Sequence, residues 1–292
     1  MNVLITGSSG GFGRLITETL AGQGHTVYAS MRGVARKNEK AAGELRALQT
    51  RGKIHVVELD VTSQDSADAA VKGILDQGGS LDVVVNNAGL GSIGLDEVFT
   101  AEQMHAVFDV NVFGVQRVNR AVLPSMRARG SGLLLHISSG LGRYTMPCLG
   151  VYGASKFALE ALAETYRYEL VATGVDSVIV QPGPFGTDFT AKSLQPSDSA
   201  RFSGYGAGTK IMDRMNAAFA DTFSGPSAPS PQLVADAVLL LIETPVGQRP
   251  LRTVVDPMLG EATETINRAA SRIQARSFAA IGMTDLLQIA PK

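Results

Sequence analysis

The stretch VYGASKFALEAL, residues 151–162, sets Tyr152 and Lys156 four apart at the head of an apolar-striped helix. Side chains at i and i+4 of a helix face the same way, so a phenol and an ammonium enter one site. Such a pair suits proton transfer, because a nearby cation favours the charged form of a phenol. Alone it means little: with six tyrosines in 292 residues, a chance Tyr-x-x-x-Lys is not rare. Thirteen residues earlier stands Ser139, just beyond the apolar run 132–138, and ligands of parallel α/β sheets bind at strand ends. Ser138 is its neighbour and rival, and a strand-end serine can equally satisfy a loop backbone group.

A second constellation lies near the N-terminus, where the first apolar run enters TGSSGGFGRL, residues 6–15. Gly7, Gly11 and Gly13, with Ser9 and Phe12 between them, have the spacing of a tight turn followed by a helix start. Bare backbone there lets a pyrophosphate approach N–H groups and the positive end of the helix dipole. The first two glycines lie further apart than in the commonest dinucleotide fingerprint, and a plain turn is the competing reading. The second run ends in VYASMRG, residues 27–33, without an acid. Met31 stands where a ribose-binding carboxylate is expected, and Arg32 follows, able to grip a 2′-phosphate through its guanidinium fork. That points to NADP(H) over NAD(H); the alternative is a solvated surface arginine.

Short, β-branched apolar runs recur at 2–6, 26–31, 54–59, 81–86, 132–138, 175–181 and 251–256, with helix-length segments between them. They are nearly continuous rather than alternating, as in strands buried on both faces. The expected fold is α/β: a Rossmann-type, doubly wound parallel sheet of about seven strands with helices on both faces. Residues 1–256 read as one domain. Within it, 184–230 lacks a strand, ends near GPSAPSP at 225–231, and holds Phe202, Tyr205, Met212, Met215, Phe219 and Phe223. An insert this apolar is expected to be a lid or pocket wall. The tail 257–292 reads as a helical extension packed on the domain or on a partner subunit.

Composition narrows the function classes. Twenty-six basic against 27 acidic residues argue against a global attraction to nucleic acid or anionic membrane. Cys148 is the single cysteine, which excludes an internal disulfide and a cysteine metal cage. His25, His55, His105 and His136 are scattered without ligand spacing, so no metal is expected. The start MNVLITG has no basic leader, and no apolar run is long enough to span a bilayer. A cytoplasmic protein without membrane insertion is the expectation.

Taken in order, the motifs resemble the single-domain short-chain dehydrogenases/reductases over roughly residues 1–256. TGSSGGFG at 6–13 is similar to that family's glycine turn, Asp60-Val61 to its adenine-side contact, and NNAG at 86–89 to its fourth-strand end. Asn111 in FDVNVFG, Ser139 and YGASK at 152–156 resemble the catalytic tetrad, and PGPFGT at 182–187 the segment lining the nicotinamide. The resemblance implies Tyr152 as general acid toward a carbonyl, or base in reverse. It implies that Lys156 holds the nicotinamide ribose and, with the positive charge of an oxidised nicotinamide, lowers the phenol's pKa from its free value near 10. Ser139 would donate to the substrate oxygen, and Asn111 would hold a water that relays protons to Lys156; the plain alternative for Asn111 is a solvent-facing side chain. Asp60 and Val61 would hold the adenine, and Asn87, Ala88 and Gly89 the adenosine ribose. Thr187 with Pro182 and Gly183 would grip the nicotinamide carboxamide and its phosphate. Asn86 fits direct contact and a purely structural turn equally. Family members are commonly homodimers or homotetramers built on two long helices, here about 100–128 and 151–173.

Leu90, Leu141, Tyr144, Met146, Leu149, Phe185, Phe189 and Phe202 are the expected substrate pocket, a lining that prefers an apolar or aromatic ketone or alcohol. Arg143 either pairs with an acidic substrate group or stays solvated. Three functions stay open. The first is an NADPH-dependent carbonyl reductase and alcohol dehydrogenase with a small-molecule carbonyl or alcohol substrate. The second is an NAD(P)-dependent dehydrogenase of a lipid-like or steroid-like alcohol. The third is a dinucleotide sensor that binds without turnover, against which the complete Asn111, Ser139, Tyr152 and Lys156 set weighs.

Overall fold

The computed structural model describes residues 1–48, 53–223 and 228–287. Seven strands, β1 (Asn2–Thr6), β2 (Thr26–Met31), β3 (Lys53–Glu58), β4 (Val83–Asn86), β5 (Gly132–Ile137), β6 (Val175–Pro182) and β7 (Arg252–Val255), form one sheet in the order β3-β2-β1-β4-β5-β6-β7. Every adjacent pair is parallel. The expected strands therefore form, with limits displaced by no more than two residues. The order reverses direction between β1 and β4, and at such a switch point the crevice beyond the strand ends binds ligands.

The apolar runs are continuous because both sheet faces are covered. Side chains alternate across a strand, so Val3 and Ile5 enter one layer and Leu4 the other. The first layer is closed by α1 (Gly11–Gly22), α2 (Glu39–Ala47) and α10 (Gln232–Glu243), through Ile16, Leu20, Leu45, Val234 and Val238. The second is closed by α3 (Gln64–Asp76), α5 (Gly114–Arg129) and α6 (Gly150–Leu170), through Ala67, Val71, Val118, Val122 and Leu170. Each wholly buried Leu or Ile in these layers contributes about 1.5–3 kcal/mol relative to exposure.

The helix expected over about 100–128 is instead α4 (Ala101–Phe108), a π turn at Asp109–Phe113 and then α5. A Thr100–Gln103 capping box starts α4. Within the strand-free insert lie α7 (Phe189–Lys192), α8 (Ser199–Gly204) and α9 (Lys210–Phe223), and after β7 comes α11 (Gly260–Ala280). An isolated parallel bridge, Ser92 with Leu194, ties the insert to the loop after β4. Ser224, residues 225–227 of the GPSAPSP tract and the side chains of Phe219 and Phe223 lie outside what the structure describes.

Candidate active site

The carboxyl ends of β1, β2, β4, β5 and β6 open into a cavity of about 700 Å³. At one end, β5 delivers Ser139 as cap of a short turn, its hydroxyl accepting from Leu141 N at 3.1 Å. α6 delivers Tyr152 and Lys156, both buried and both lining the cavity. Its first turn has no cap of its own, since Leu149 precedes it. Asp96 supplies one from a distant loop, accepting from Val151 N at 3.2 Å. Gly150 makes room for that carboxylate, because a Cβ there would lie 2.0 Å from Asp96 Oδ2.

Burial pushes the Tyr152 phenol above its ordinary value, and its hydrogen bond with Ser139 acts in the opposite direction. Lys156 is drawn down to about 8, chiefly by burial, with the carboxylate of Glu160 opposing. Its ammonium donates to the Ile137 carbonyl at 2.9 Å and sits 5.6 Å from the Tyr152 ring centroid. In the protein by itself burial thus outweighs what opposes it; the expected lowering also counts the positive charge of an oxidised nicotinamide. A group buried at 8% exposure pays more for losing its proton than a cation beyond hydrogen-bond range returns. Ser138, the rival serine, has a buried hydroxyl without a partner; its Oγ lies on the Glu160 side of the turn, 3.1 Å from where a Gly142 Cβ would be.

Asn111 does not face solvent. At 1% exposure in the π turn, it accepts from Leu90 N at 2.7 Å and donates to Leu90 O and Ser155 Oγ, each at 2.9 Å. It therefore does not line the cavity but fixes the loop after β4 to α6. π turns recur at functional sites, and here the turn aims this side chain.

The other end of the cavity holds the glycine turn. Gly7 adopts φ +73°, and a Cβ on it would lie 2.8 Å from Ala88 Cα. Gly7, Ser9, Gly11 and Phe12 line the cavity; Gly13 does not. A Cβ on Gly13 would lie 2.3 Å from Gly7 O and 2.5 Å from Asn87 Nδ2, so its lack of a side chain serves packing of the turn rather than ligand contact. Asn87 lines the cavity with Ala88 and Gly89, yet its amide is spent on Thr6 O at 2.9 Å and Gly7 O at 3.2 Å. Asn86 is buried against Asn119 and His136.

Met31, Arg32, Asp60 and Val61 close this end, joined by Lys37 and Asn38, which no sequence motif marks. Gly33, at φ +63°, turns the chain, and the Glu58 carboxylate accepts from Gly33 N and Val34 N at 2.6 and 2.7 Å. Asn38 Nδ2 then closes the loop on Arg32 O at 2.7 Å. The signal was a second cation five residues after Arg32, readable only once Gly33 reverses the loop. Burial would raise the Asp60 carboxyl, but bonds from Thr62 N and Oγ1, with Arg32 and Lys37 nearby, hold it below its ordinary range.

Of the expected substrate residues, Leu90, Leu141, Tyr144, Met146, Leu149, Phe185 and Phe189 line the cavity, as do Pro182, Gly183 and Thr187. Phe189 packs edge-on to Tyr152, ring centroids 5.1 Å apart. Phe202 does not reach it: it sits on α8, 39% exposed. Arg143 is half-buried beside Glu160, Glu164 and Arg252 and does not line the cavity. Ile93, Met215, Met258 and Leu259 complete the apolar wall, the last two from beyond β7. Among the described residues no group of three His, Cys, Asp or Glu side chains could hold a metal ion.

A short chain dehydrogenase family profile matches residues 1–198. The chain belongs to the short-chain dehydrogenase family. It is 38% identical over 188 residues to a 3-ketodihydrosphingosine reductase of Bacteroides thetaiotaomicron, an alignment covering 64% of this chain and 65% of that one. To retinol dehydrogenase 8 of Bos taurus it is 40% identical over 207 residues, 69% and 64% of the two chains. The chain thus spans just under two thirds of the length of these relatives. A Streptomyces avermitilis short-chain dehydrogenase superposes with a TM-score of 0.74 at 29% identity, over 96% of each chain. An alcohol dehydrogenase from Thermococcus sibiricus, complexed with 5-hydroxy-NADP, gives 0.69 at 28% identity, over 87% of this chain and 95% of that one. The seven-stranded parallel sheet of this chain is the fold it shares with these structures. Among its described residues no helix is long and apolar enough to cross a membrane.

Proposed function

We propose that this short-chain dehydrogenase is an NADPH-dependent carbonyl reductase acting on an apolar or aromatic ketone, and in reverse on the secondary alcohol. The observation that carries it is the meeting of Ser139, Tyr152 and Lys156 at one end of a cavity whose far end presents Arg32 and Lys37. The residues present fit a phosphorylated dinucleotide: bare backbone at Gly7 and Gly11 for a pyrophosphate, and two cations where a 2′-phosphate would lie. Bound there, NADPH would supply a hydride to the carbonyl carbon. Ser139 donates to the carbonyl oxygen and holds it in place, and the phenol of Tyr152, which burial keeps protonated, donates its proton to that oxygen. Lys156, charged at neutral pH, stabilises the phenolate left behind. The apolar wall excludes water and selects against charged substrates.

A second reading is a dehydrogenase of a lipid-like alcohol. The names of the ketodihydrosphingosine and retinol relatives favour it, as does the apolar wall extended by Met215, Met258 and Leu259. The assembled Ser139, Tyr152 and Lys156 weigh against a sensor without turnover. The deciding assay follows oxidation of NADPH, and separately NADH, with a panel of aromatic, aliphatic, long-chain and steroid-like ketones. Turnover is expected with NADPH. Tyr152→Phe should keep cofactor affinity and lose about 100-fold or more in kcat. Full turnover in that variant removes the proposed acid.

A further inference from the structure

One corner of the substrate end is polar. Tyr144, two residues beyond the short turn Gly140–Gly142, lines the cavity, and so does Gly140. A Cβ on Gly140 would lie 3.3 Å from the Tyr144 hydroxyl oxygen and 3.4 Å from Thr263 Oγ1, so two hydroxyls border one spot beside Ser139. Thr263, in the first turn of α11, is wholly buried, and its Oγ1 has no partner among the described residues. Because Ile137 of β5 pairs with Val180 of β6, Gly183 continues one strand where Gly140 continues the next. Behind Gly183 stands Asp256, its Oδ2 2.5 Å from where a Cβ would be. Asp256 Oδ1 accepts from Met258 N and Leu259 N, each at 2.9 Å, whereas its buried Oδ2 has no partner among the described residues. Burial and the nearby Asp256 carboxylate both raise the Tyr144 phenol, which therefore keeps its proton.

A buried polar atom left without a partner costs about 1–3 kcal/mol, and two such atoms border this corner of a wall that is otherwise apolar. The corner also has a polarity. A hydroxyl donates once and accepts twice, and a carboxylate only accepts. Tyr144 and Thr263 bring two protons against a larger number of lone pairs, so the group that completes the set brings a proton of its own. Gly140 follows Ser139 directly, and consecutive Cα atoms are about 3.8 Å apart; a group placed there sits about one carbon away from a carbonyl held by Ser139. From this we infer that Tyr144 is a specificity residue: its hydroxyl oxygen accepts from a hydroxyl on the carbon next to the reacting carbonyl, with Thr263 and Asp256 behind it as acceptors for the phenol's own proton. The substrate is then an α-hydroxy ketone with an apolar body, reduced to the vicinal diol by the hydride and proton transfers described above. The inference rests on the carbonyl-reductase reading and adds the substrate class to it.

Steady-state reduction by the full chain, with NADPH and separately with NADH, tests this. The substrates are acetophenone, α-hydroxyacetophenone and α-methoxyacetophenone, the last keeping the oxygen but not its proton. Methyl nonyl ketone with its α-hydroxy and α-methoxy derivatives forms a long-chain set. In whichever set it reduces, the wild type is expected to favour the hydroxy over the methoxy ketone about tenfold in kcat/KM, within the range of one neutral hydrogen bond. Tyr144→Phe should lower that ratio about tenfold, and Thr263→Val, which keeps the shape and removes only the hydroxyl behind the phenol, about threefold. A wild-type ratio near one, a ratio unchanged in folded Tyr144→Phe, or, where that variant does not fold, one unchanged in Thr263→Val, overturns the inference while the reductase stands. So does failure to reduce either set when other ketones of the wider panel are turned over. Failure across that whole panel overturns the reductase reading, and the inference with it.

Discussion

Lowering the pH from 7 to 5 should cost this fold about 2 kcal/mol through His136 alone. His136 lies on β5, wholly buried between Asn86 and Ser177. Ser177 Oγ spends its proton on Ala163 O at 2.8 Å, so at 3.2 Å it accepts from His136 Nε2. Asn86 Nδ2, 3.3 Å away, donates to Nδ1. The neutral ring is satisfied at both nitrogens, whereas a second proton would face an N–H donor. Burial, with repulsion from Lys156, takes the pKa from 6.5 to about 3. Because the folded value lies below the unfolded one, the unfolded chain binds the extra proton first. The stability contributed by the neutral ring is whole above about 6.5 and is lost as the pH falls, at about 1.4 kcal/mol per pH unit, until about 3. At pH 5 the loss is about 1.5 units' worth, about 2 kcal/mol, whether the folded value is 3 or 4. Urea unfolding of wild type and His136→Gln at pH 7, 6 and 5 reads it. The variant starts less stable, but its loss from pH 7 to 5 should be about 2 kcal/mol smaller. Equal losses in the two proteins would refute the reasoning.

Arg32→Asp should lower the ratio of kcat/KM for NADPH over NADH about 10- to 100-fold, the equivalent of a charged hydrogen bond of about 1.5–3 kcal/mol; an unchanged ratio removes the 2′-phosphate assignment. Asp96→Ala removes the borrowed cap of α6, so it should cost about 1 kcal/mol in thermal unfolding. It should also lower kcat more than it weakens NADPH binding, because the turn that loses its cap carries Tyr152. An equal loss in both quantities would make Asp96 a stability residue only.

The sheet was legible because its strands are buried on both faces, which writes them as unbroken apolar runs. The meeting of Ser139, Tyr152 and Lys156 in one cavity was legible because Tyr152 and Lys156 share one helix and Ser139 follows one strand. What escaped depends on contacts between distant residues. Nothing near Asn111 announces that it will bond Leu90, 21 residues away, and open a π turn in an otherwise continuous helix. Gly13 and Gly7 look alike in sequence, yet one borders the cavity and the other packs on its neighbour's carbonyl. The apolar residues of the insert are divided in the same way: Met215 and Phe189 turn inward while Phe202 stays outside, a division set by tertiary packing rather than by any local pattern.

The state of the central pair bears on how the site would work. A phenol raised by burial and an ammonium lowered to about 8 are shifted by one cause, the loss of water around both. Each is thereby displaced toward its neutral form, but at neutral pH the consequences differ. The lysine still carries its charge most of the time, and the tyrosine keeps its proton. Before a carbonyl reduction of the proposed kind, that keeps the proton on the phenol and a cation nearby for the phenolate. Ser139 opposes the rise by stabilising the phenolate, so the residue that would grip the substrate oxygen also eases the proton's departure. Glu160, one helical turn beyond Lys156 and itself buried, keeps the lysine from discharging further. Arg252, at 2.7 Å, and Gln181, at 2.9 Å, hold that carboxylate, which places β6 and β7 in support of a charge on α6. The charges around Lys156 are therefore held by groups from β6, β7 and α6.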